Sequence, residues 1–102
     1  MYLKDFLKIM SDNLNIKLNI FCMNTATHEI KSIFEYKSKK YVLNSDLFEH
    51  ISDCLVTEVN ISEAQSAILE RYRTGPKPIF VDVILQKDEK STKAAEIAEG
   101  RE

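Results

Sequence analysis

Residues 15–23 read NIKLNIFCM, and this stretch decides the fold of the chain. Its apolar side chains fall at every second position, which is the pattern of a β-strand with one buried face. From Phe21 onward both faces become apolar, as expected where a strand is covered on both sides. We therefore predict that residues 15–23 form the central strand of a sheet.

Two further elements flank the central strand. Residues 2–10 place apolar side chains three and four positions apart, which predicts an amphipathic helix. Residues 28–36 predict a second strand, and their uneven alternation indicates a bulge or a kink near Ser32. Only a few residues separate the two strands, so we expect an antiparallel hairpin.

The middle of the chain predicts a bend and a short helix. Residues 37–40 form the charged bend. Asn44, Ser45 or Asp46 would then cap a helix that ends near Ser52, because these side chains accept hydrogen bonds from the first free backbone N–H groups. Its inward-facing side chains are Leu47, Phe48 and Ile51.

A third strand is predicted over residues 54–61. We expect Val59 and Ile61 to point into the core, with Leu55 or Val56 entering it through an offset in the strand. Such a strand would extend the buried face of the sheet.

The sequence then predicts a helix and a last strand. Ser62 and Gln65 match a capping box, which indicates a helix that ends at about Arg73. Residues 79–85 are the most β-prone run in the chain and predict the last strand. If that strand lies at an edge of the sheet, we expect it to pair with its own copy in a homodimer.

Together these elements predict an α+β fold. It consists of a small, mainly antiparallel four-stranded sheet with two to three helices packed on one face. Residues 1–86 form a single domain. Residues 87–102 are highly charged and contain one isoleucine and no aromatic residue, which predicts a disordered tail outside the core.

Composition narrows the classes of function. The chain has 102 residues and a formal net charge of −2, whereas nucleic-acid-binding domains are usually basic. No apolar run reaches the ~18 residues of a membrane span, and the first residues do not resemble a signal peptide. Two cysteines without an export signal indicate reduced thiols, so we expect a cytoplasmic protein without a membrane partner.

Four side chains are candidates for metal or thiol chemistry: Cys22, His28, His50 and Cys54. His50 and Cys54 are four positions apart, as two zinc ligands on one helix face are. Cys22, however, continues the buried face of the central strand, and the sequence has no C-x-x-C pair. We predict structural roles, with no catalytic residue, metal or cofactor. A small metal-binding or thiol enzyme is one alternative.

Basic residues interleaved with tyrosines suggest a second alternative. The basic residues are Lys37, Lys39, Lys40, Arg71, Arg73 and Lys77. Tyr36, Tyr41 and Tyr72 lie among them, and this combination is typical of surfaces that bind single-stranded nucleic acid. Because the net charge is negative, we favour no nucleic-acid partner. The alternative function is that of an accessory protein that binds single-stranded nucleic acid.

The charges are unevenly ordered along the chain. Residues 1–40 carry seven Lys and four acidic residues, a net charge of +3. Residues 41–70 carry six acidic residues and no Lys or Arg, and residues 71–102 carry seven basic and six acidic residues. A negative surface can steer a basic partner into contact. We predict a partner-binding surface made of Asp46, Glu49, Asp53 and Glu58.

Four short stretches carry a likeness to a class of viral proteins. They are LKDFL (3–7), IKLNI (16–20), LNSDL (43–47) and VTEVNI (56–61). Together they resemble the small uncharacterised α+β proteins of phages and prophages in low-GC Gram-positive bacteria. The resemblance covers residues 3–61 and matches no family signature. Residues 63–78 depart from it, since a tighter connection between strands is usual there.

The resemblance implies a phage or prophage accessory protein in the host cytoplasm. We therefore predict a non-enzymatic protein–protein interaction module whose partner is a host protein. Inhibition of a host defence system, as by an anti-CRISPR-like protein, is the form of this function that the resemblance suggests.

Overall fold

The computed structural model describes residues 1–10, 15–24, 26–63 and 79–100. In these residues a four-stranded sheet carries a layer of four helices. The strands are β1 (Ile16–Asn24), β2 (Glu29–Lys37), β3 (Val56–Glu63) and β4 (Ile79–Gln86). The helices are α1 (Leu3–Ile9), α2 (Lys39–Asn44), α3 (Asp46–Ile51) and α4 (Glu89–Gly100). The predicted α+β class is therefore confirmed.

The sheet has the strand order β2-β1-β4-β3. The pairs β1–β2 and β3–β4 are antiparallel, as the hairpin prediction required for the first pair. The central pair β1–β4 is parallel, which makes the sheet mixed rather than purely antiparallel. β1 lies inside the sheet, as predicted. β4 lies inside it as well. Residues 79–85 are therefore not at an edge of the sheet, and the condition for the homodimer that we expected through them is not met.

One face of the sheet forms the hydrophobic core with the helices. Alternate residues of the two inner strands point to this face, and their side chains are almost fully buried. They are Leu18, Ile20 and Cys22 of β1 and Val81, Val83 and Leu85 of β4. The helices contribute Leu3, Leu7, Val42, Leu47, Ile51, Ala94 and Ala95 to the same cluster. The helix layer therefore lies on one side of the sheet.

The predicted cap of the short helix is confirmed at Ser45. Its hydroxyl accepts a hydrogen bond from the backbone N–H of Leu47 at 3.3 Å. Leu47 and Ile51 are buried and Phe48 is partly buried, as the spacing predicted. The expected bend at 37–40 is shorter than predicted, because Ser38 caps α2 and the helix begins at once with Lys39.

Residues 87–102 were predicted to be a disordered tail, and this was wrong for their described part. Residues 89–100 form α4, and Ser91, Ala94 and Ala95 in this helix are at most 1% exposed. The mean hydropathy of the segment is low because charged residues cover its exposed face, while only small side chains make the closest contacts with the core. Small side chains let a helix approach a sheet closely, and a low hydrophobicity does not reveal this packing.

β3 differs from its prediction in two ways. It spans Val56–Glu63 rather than 54–61, and Ser62 and Glu63 pair with β4, so no helix begins at Ser62. The remainder of the predicted helix lies outside the described residues. Val59 and Ile61 face the same side as Val83 and Val81, yet they are 37% and 73% exposed. Their face was predicted correctly and their burial was not.

Within the described part of the chain, no helix combines the length and the apolar character needed to cross a membrane.

Candidate functional site

An open groove of about 650 Å³ runs beside β2. Eight consecutive residues, 30–37, line it. Successive side chains of a strand point to opposite faces of the sheet, so eight in a row can share one groove only if it follows the strand's outer edge. The opposite wall is formed by Tyr41, Ser45 and Leu47 together with Ala95, Ala98 and Glu99. The groove therefore separates an edge strand from a helical wall.

The sequence explains how the groove is built. Ile33 and Phe34 are buried in the core and anchor the strand. Ala95 and Ala98 give α4 a narrow flank towards β2. At the rim, Tyr41 is 54% exposed and its ring meets that of Phe34 edge-on, with the centroids 6.3 Å apart.

Charges of both signs border the groove. Lys31 and Lys37 on β2 are exposed, as are Glu35 on β2 and Glu99 on α4. The Lys37 ammonium lies 4.8 Å from the centroid of the Tyr41 ring, which is a cation–π contact. The groove thus offers two exposed aromatic side chains, Tyr36 and Tyr41, together with cations and anions that can pair with charged groups of a ligand.

β2 is irregular in the half of the strand that ends at Lys37. The register with β1 shifts twice, so the predicted bulge near Ser32 is confirmed. Tyr36 has a φ of 54°, and its backbone N–H donates to Oδ1 of Asn19 at 2.9 Å. Asn19 in turn donates from Nδ2 to Oδ1 of Asp82 at 2.9 Å. Residues 29–32 pair with β1 without interruption, so this half keeps a regular strand edge.

The predicted acidic surface is not assembled on one face. Asp46 and Glu49 are exposed on α3, in the helix layer. Glu58 is exposed on β3 and lies opposite Ile84 of β4. The residues on either side of Ile84 point to the core, so Ile84 and Glu58 both point to the other face of the sheet. Asp46 lies with Lys40, Tyr41 and Ser45 around a shallow depression next to the groove.

Asp53 is already paired within the chain. Nζ of Lys4 lies 2.8 Å from Oδ1 of Asp53, and Nζ of Lys90 lies 3.8 Å from Oδ2. The hydrogen bond and charge of Lys4 lower the pKa of the Asp53 carboxyl below its ordinary value. Asp53 therefore links α1 to the start of α4, and a partner would compete with Lys4 for its carboxylate.

The predicted basic cluster divides in a similar way. Lys37 lines the groove, and Lys40 is exposed next to it. Lys39 is only 9% exposed, and its Nζ donates to the backbone carbonyl of Met10 at 2.8 Å. Lys39 therefore has a structural role. The remaining members, Arg71, Arg73 and Lys77, lie outside the described residues.

The two cysteines have separate polar partners at the start of α4. The Cys22 thiol donates to the Ser91 hydroxyl at 3.2 Å, and the Cys54 thiol donates to Oδ1 of Asp88 at 3.7 Å. Burial and then the Asp88 charge raise the pKa of Cys54 to about 12, which opposes formation of the reactive thiolate. His28 is exposed in the hairpin turn.

Among the residues that the structure describes, no three His, Cys, Asp or Glu side chains converge as metal ligands would. The predicted burial of Cys22 is confirmed, since the side chain is 3% exposed.

Sequence reasoning missed most of the groove. The sequence places Tyr41 and Lys37 in the alternative nucleic-acid-binding surface and Ala95 and Ala98 in the predicted tail, so it does not bring them together. The pattern Ala94-Ala95 followed by Ala98 was the available signal, because small residues three and four apart form one narrow helix face.

No family model, curated protein or solved structure matches the chain.

Proposed function

We propose that the protein is a non-enzymatic protein–protein interaction module that binds an extended segment of a partner protein in the groove beside β2. The observation that carries this proposal is the lining of the groove by eight consecutive strand residues, with a helix on its other side. A groove between an edge strand and a helix is a recurring receptor for an added strand.

The dimensions of the groove favour an extended peptide. Eight strand residues at about 3.3 Å each span roughly 26 Å. A groove of that length along a strand matches a peptide of similar length better than it matches a compact metabolite. Hydrogen bonds to the regular edge at residues 29–32 would align the segment.

Side chains would then select the segment. The irregular half of β2 disturbs the edge beyond residue 32, so main-chain pairing alone cannot extend along the whole strand. An apolar or aromatic side chain of the partner would pack against Tyr41, and charged side chains would meet Lys37 and Glu35. A partner segment with one apolar anchor and charges of both signs fits this chemistry.

The nature of the partner follows from the resemblance to small phage and prophage proteins. Under that resemblance the partner is a host protein, and the module acts by occupying a surface that a host defence system needs. Asp46 lies in the depression beside the groove and would contribute there, whereas Glu58 on the other face of the sheet would not.

Single-stranded nucleic acid is the second candidate ligand for the same groove. Tyr36 and Tyr41 are 53% and 54% exposed along it, and Lys37 lies over the Tyr41 ring. Stacking of bases on aromatic side chains next to cations is how such strands are held. Its binding would fall steeply as salt rises, which distinguishes it from a peptide with an apolar anchor.

The experiment uses the full chain to select from random peptides of about eight residues, the length of the groove at about 3.3 Å per residue. Selected peptides should lose about tenfold or more in affinity for Tyr41→Ala, because a buried aromatic contact contributes more than 1.4 kcal/mol. Leu43→Ala is the matched control, since Leu43 is exposed on the same helix but does not line the groove. It should leave the affinity unchanged.

Two outcomes would contradict the proposal. One is that no peptide is selected. The other is that selected peptides bind Tyr41→Ala and the native protein equally well. A fluorescence-polarisation titration with a labelled oligothymidylate over a salt series tests the second candidate in parallel. Tight, salt-sensitive binding together with no selected peptide would replace the proposed function by nucleic-acid binding.

A further inference from the structure

β3 forms the second edge of the sheet. It differs from β2 in the features that hinder pairing with a further strand. β2 carries register shifts and a left-handed Tyr36 in the half that ends at Lys37, so its edge is regular only at residues 29–32. The pairing of β3 with β4 is regular from Glu58 to Glu63. No Lys or Arg occurs anywhere in residues 41–70, so β3 has no basic side chain to blunt its edge.

The exposed side chains of β3 are partly apolar. Val59 and Ile61 are 37% and 73% exposed and lie opposite the buried Val83 and Val81. They therefore continue the core face of the sheet out to its edge. At the start of the strand, the N–H of Val56 donates to the carbonyl of Met1 at 2.8 Å, so the chain's own first residues occupy that end. In the described part of the structure, the edge from Glu58 onward pairs only with β4.

We propose that this edge of β3 pairs with β3 of a second copy of the chain, about a two-fold axis that passes beside Asn60. The result would be a continuous eight-stranded sheet. This inference concerns the edge opposite the β2 groove and does not depend on the function proposed for that groove.

The sequence of β3 is complementary to itself in this register. In an antiparallel pair centred on Asn60, each Val59 lies opposite the other copy's Ile61, which gives two apolar cross-strand pairs on the core face. Asn60 lies opposite Asn60, where the two amides can hydrogen-bond to each other. Glu58 lies opposite Ser62, so no two like charges face each other directly.

Repulsion between the two copies of Glu58 does not prevent this pairing. The two copies of Glu58 lie four positions apart along the strand direction, or roughly 13 Å at about 3.3 Å per residue. This distance exceeds the Debye length of about 8 Å at physiological salt, so their repulsion is largely screened. A register centred on Ile61 instead would place Val59 opposite Glu63, which pairs an apolar residue with a charged one.

Sedimentation velocity over a range of protein concentrations tests the association. The native chain should shift from monomer to dimer as the concentration rises, because the interface of one strand pair is small. Ile61→Lys should weaken the dimer by about tenfold or more, since it removes both apolar pairs and adds two cations. Ile9→Lys is the matched control, because Ile9 is 72% exposed and lies on α1. It should leave the dimer intact.

Cross-linking tests the register. Residues directly opposite each other have Cβ atoms about 4.5–5.5 Å apart, so Asn60→Cys should form a disulfide between two copies in the presence of oxidised glutathione. Glu58→Cys should not, because the two copies of residue 58 lie far apart. Circular dichroism would verify that each variant is folded. A native chain that stays monomeric up to millimolar concentration, or a dimer that Ile61→Lys leaves unchanged, would overturn the inference.

Discussion

The thiol of Cys22 donates a hydrogen bond to the hydroxyl of Ser91 at 3.2 Å, although 69 positions separate the two residues in the chain. Ser91 donates in turn to the carbonyl of Gln86 at 3.0 Å and accepts from the N–H of Asp88 at 2.9 Å. One hydroxyl thereby joins β1, the end of β4 and the first turn of α4. This link holds α4 in the position where it forms a wall of the groove.

We predict that Ser91→Ala destabilises the protein by roughly 1–3 kcal/mol, because it leaves buried polar groups without a partner. Chemical denaturation monitored by circular dichroism measures the loss. Thr92→Ala is the control, since the neighbouring Thr92 is only partly buried. Equal stabilities of the two variants would show that the Ser91 network contributes nothing.

A chain that ends at Lys87 should lose more than about 3 kcal/mol of stability or fail to fold, since it lacks all of α4. The buried Ser91, Ala94 and Ala95 would be removed, and Cys22 would be uncovered. A chain that ends at Gly100 is the control and should melt like the full-length protein. If the chain that ends at Lys87 also melted within a few degrees of the full-length protein, α4 would not be part of the core.

The raised pKa of Cys54 predicts that the free energy of unfolding falls at high pH. Its pKa is raised to about 12 in the folded protein, against an ordinary value of 9.0, so the folded state holds this proton more tightly than the unfolded state does. The stabilisation is complete below pH 9 and is lost as the pH rises towards 12.

The measurement is the difference in free energy of unfolding between the native protein and Cys54→Ala. This difference should shrink as the pH rises from 9 to 12. Groups that titrate in the same way in both proteins contribute equally to the two free energies and so do not affect the difference. A difference that stays constant would contradict the raised pKa. Cys54 should also react slowly with iodoacetamide at pH 8, because its thiol is buried and protonated.

The acidic residues should differ in their effect on peptides selected with the β2 groove. Asp46→Asn removes a carboxylate beside the groove and should weaken such peptides, more at low salt than at high salt. Glu58→Gln removes a carboxylate on the other face of the sheet and should leave the affinity of the selected peptides unchanged. The opposite ranking, measured by fluorescence polarisation, would place the binding surface near β3.

Local features of the fold followed from the sequence. The alternation in residues 15–23 located the central strand, and the three candidate caps at 44–46 located the start of α3, because each signal depends on neighbouring residues only. The parallel pairing of β1 with β4 did not follow. These strands are separated by most of the chain, and period-two alternation is the same for parallel and antiparallel neighbours.

Neither the exposure of β3 nor the groove beside β2 could be predicted from the sequence. The alternation of Val59 and Ile61 fixed the face to which they point, but whether a helix covers that face depends on where the helix layer ends. The small residues of segment 94–98 indicate a narrow helix face, but they do not indicate which strand that face packs against, because contacts such as that of Ser91 with Cys22 join distant parts of the chain. Tertiary contacts of this kind leave no periodic pattern in the sequence.

Amide hydrogen exchange of the full chain, followed by NMR with and without a selected peptide, tests the central claim most directly. If an extended segment pairs with β2, alternate amides within residues 29–32 should become protected when the peptide is bound, and those of β3 should not change. Protection confined to β3, or exchange in residues 29–32 that the bound peptide leaves unaltered, would contradict strand addition in this groove.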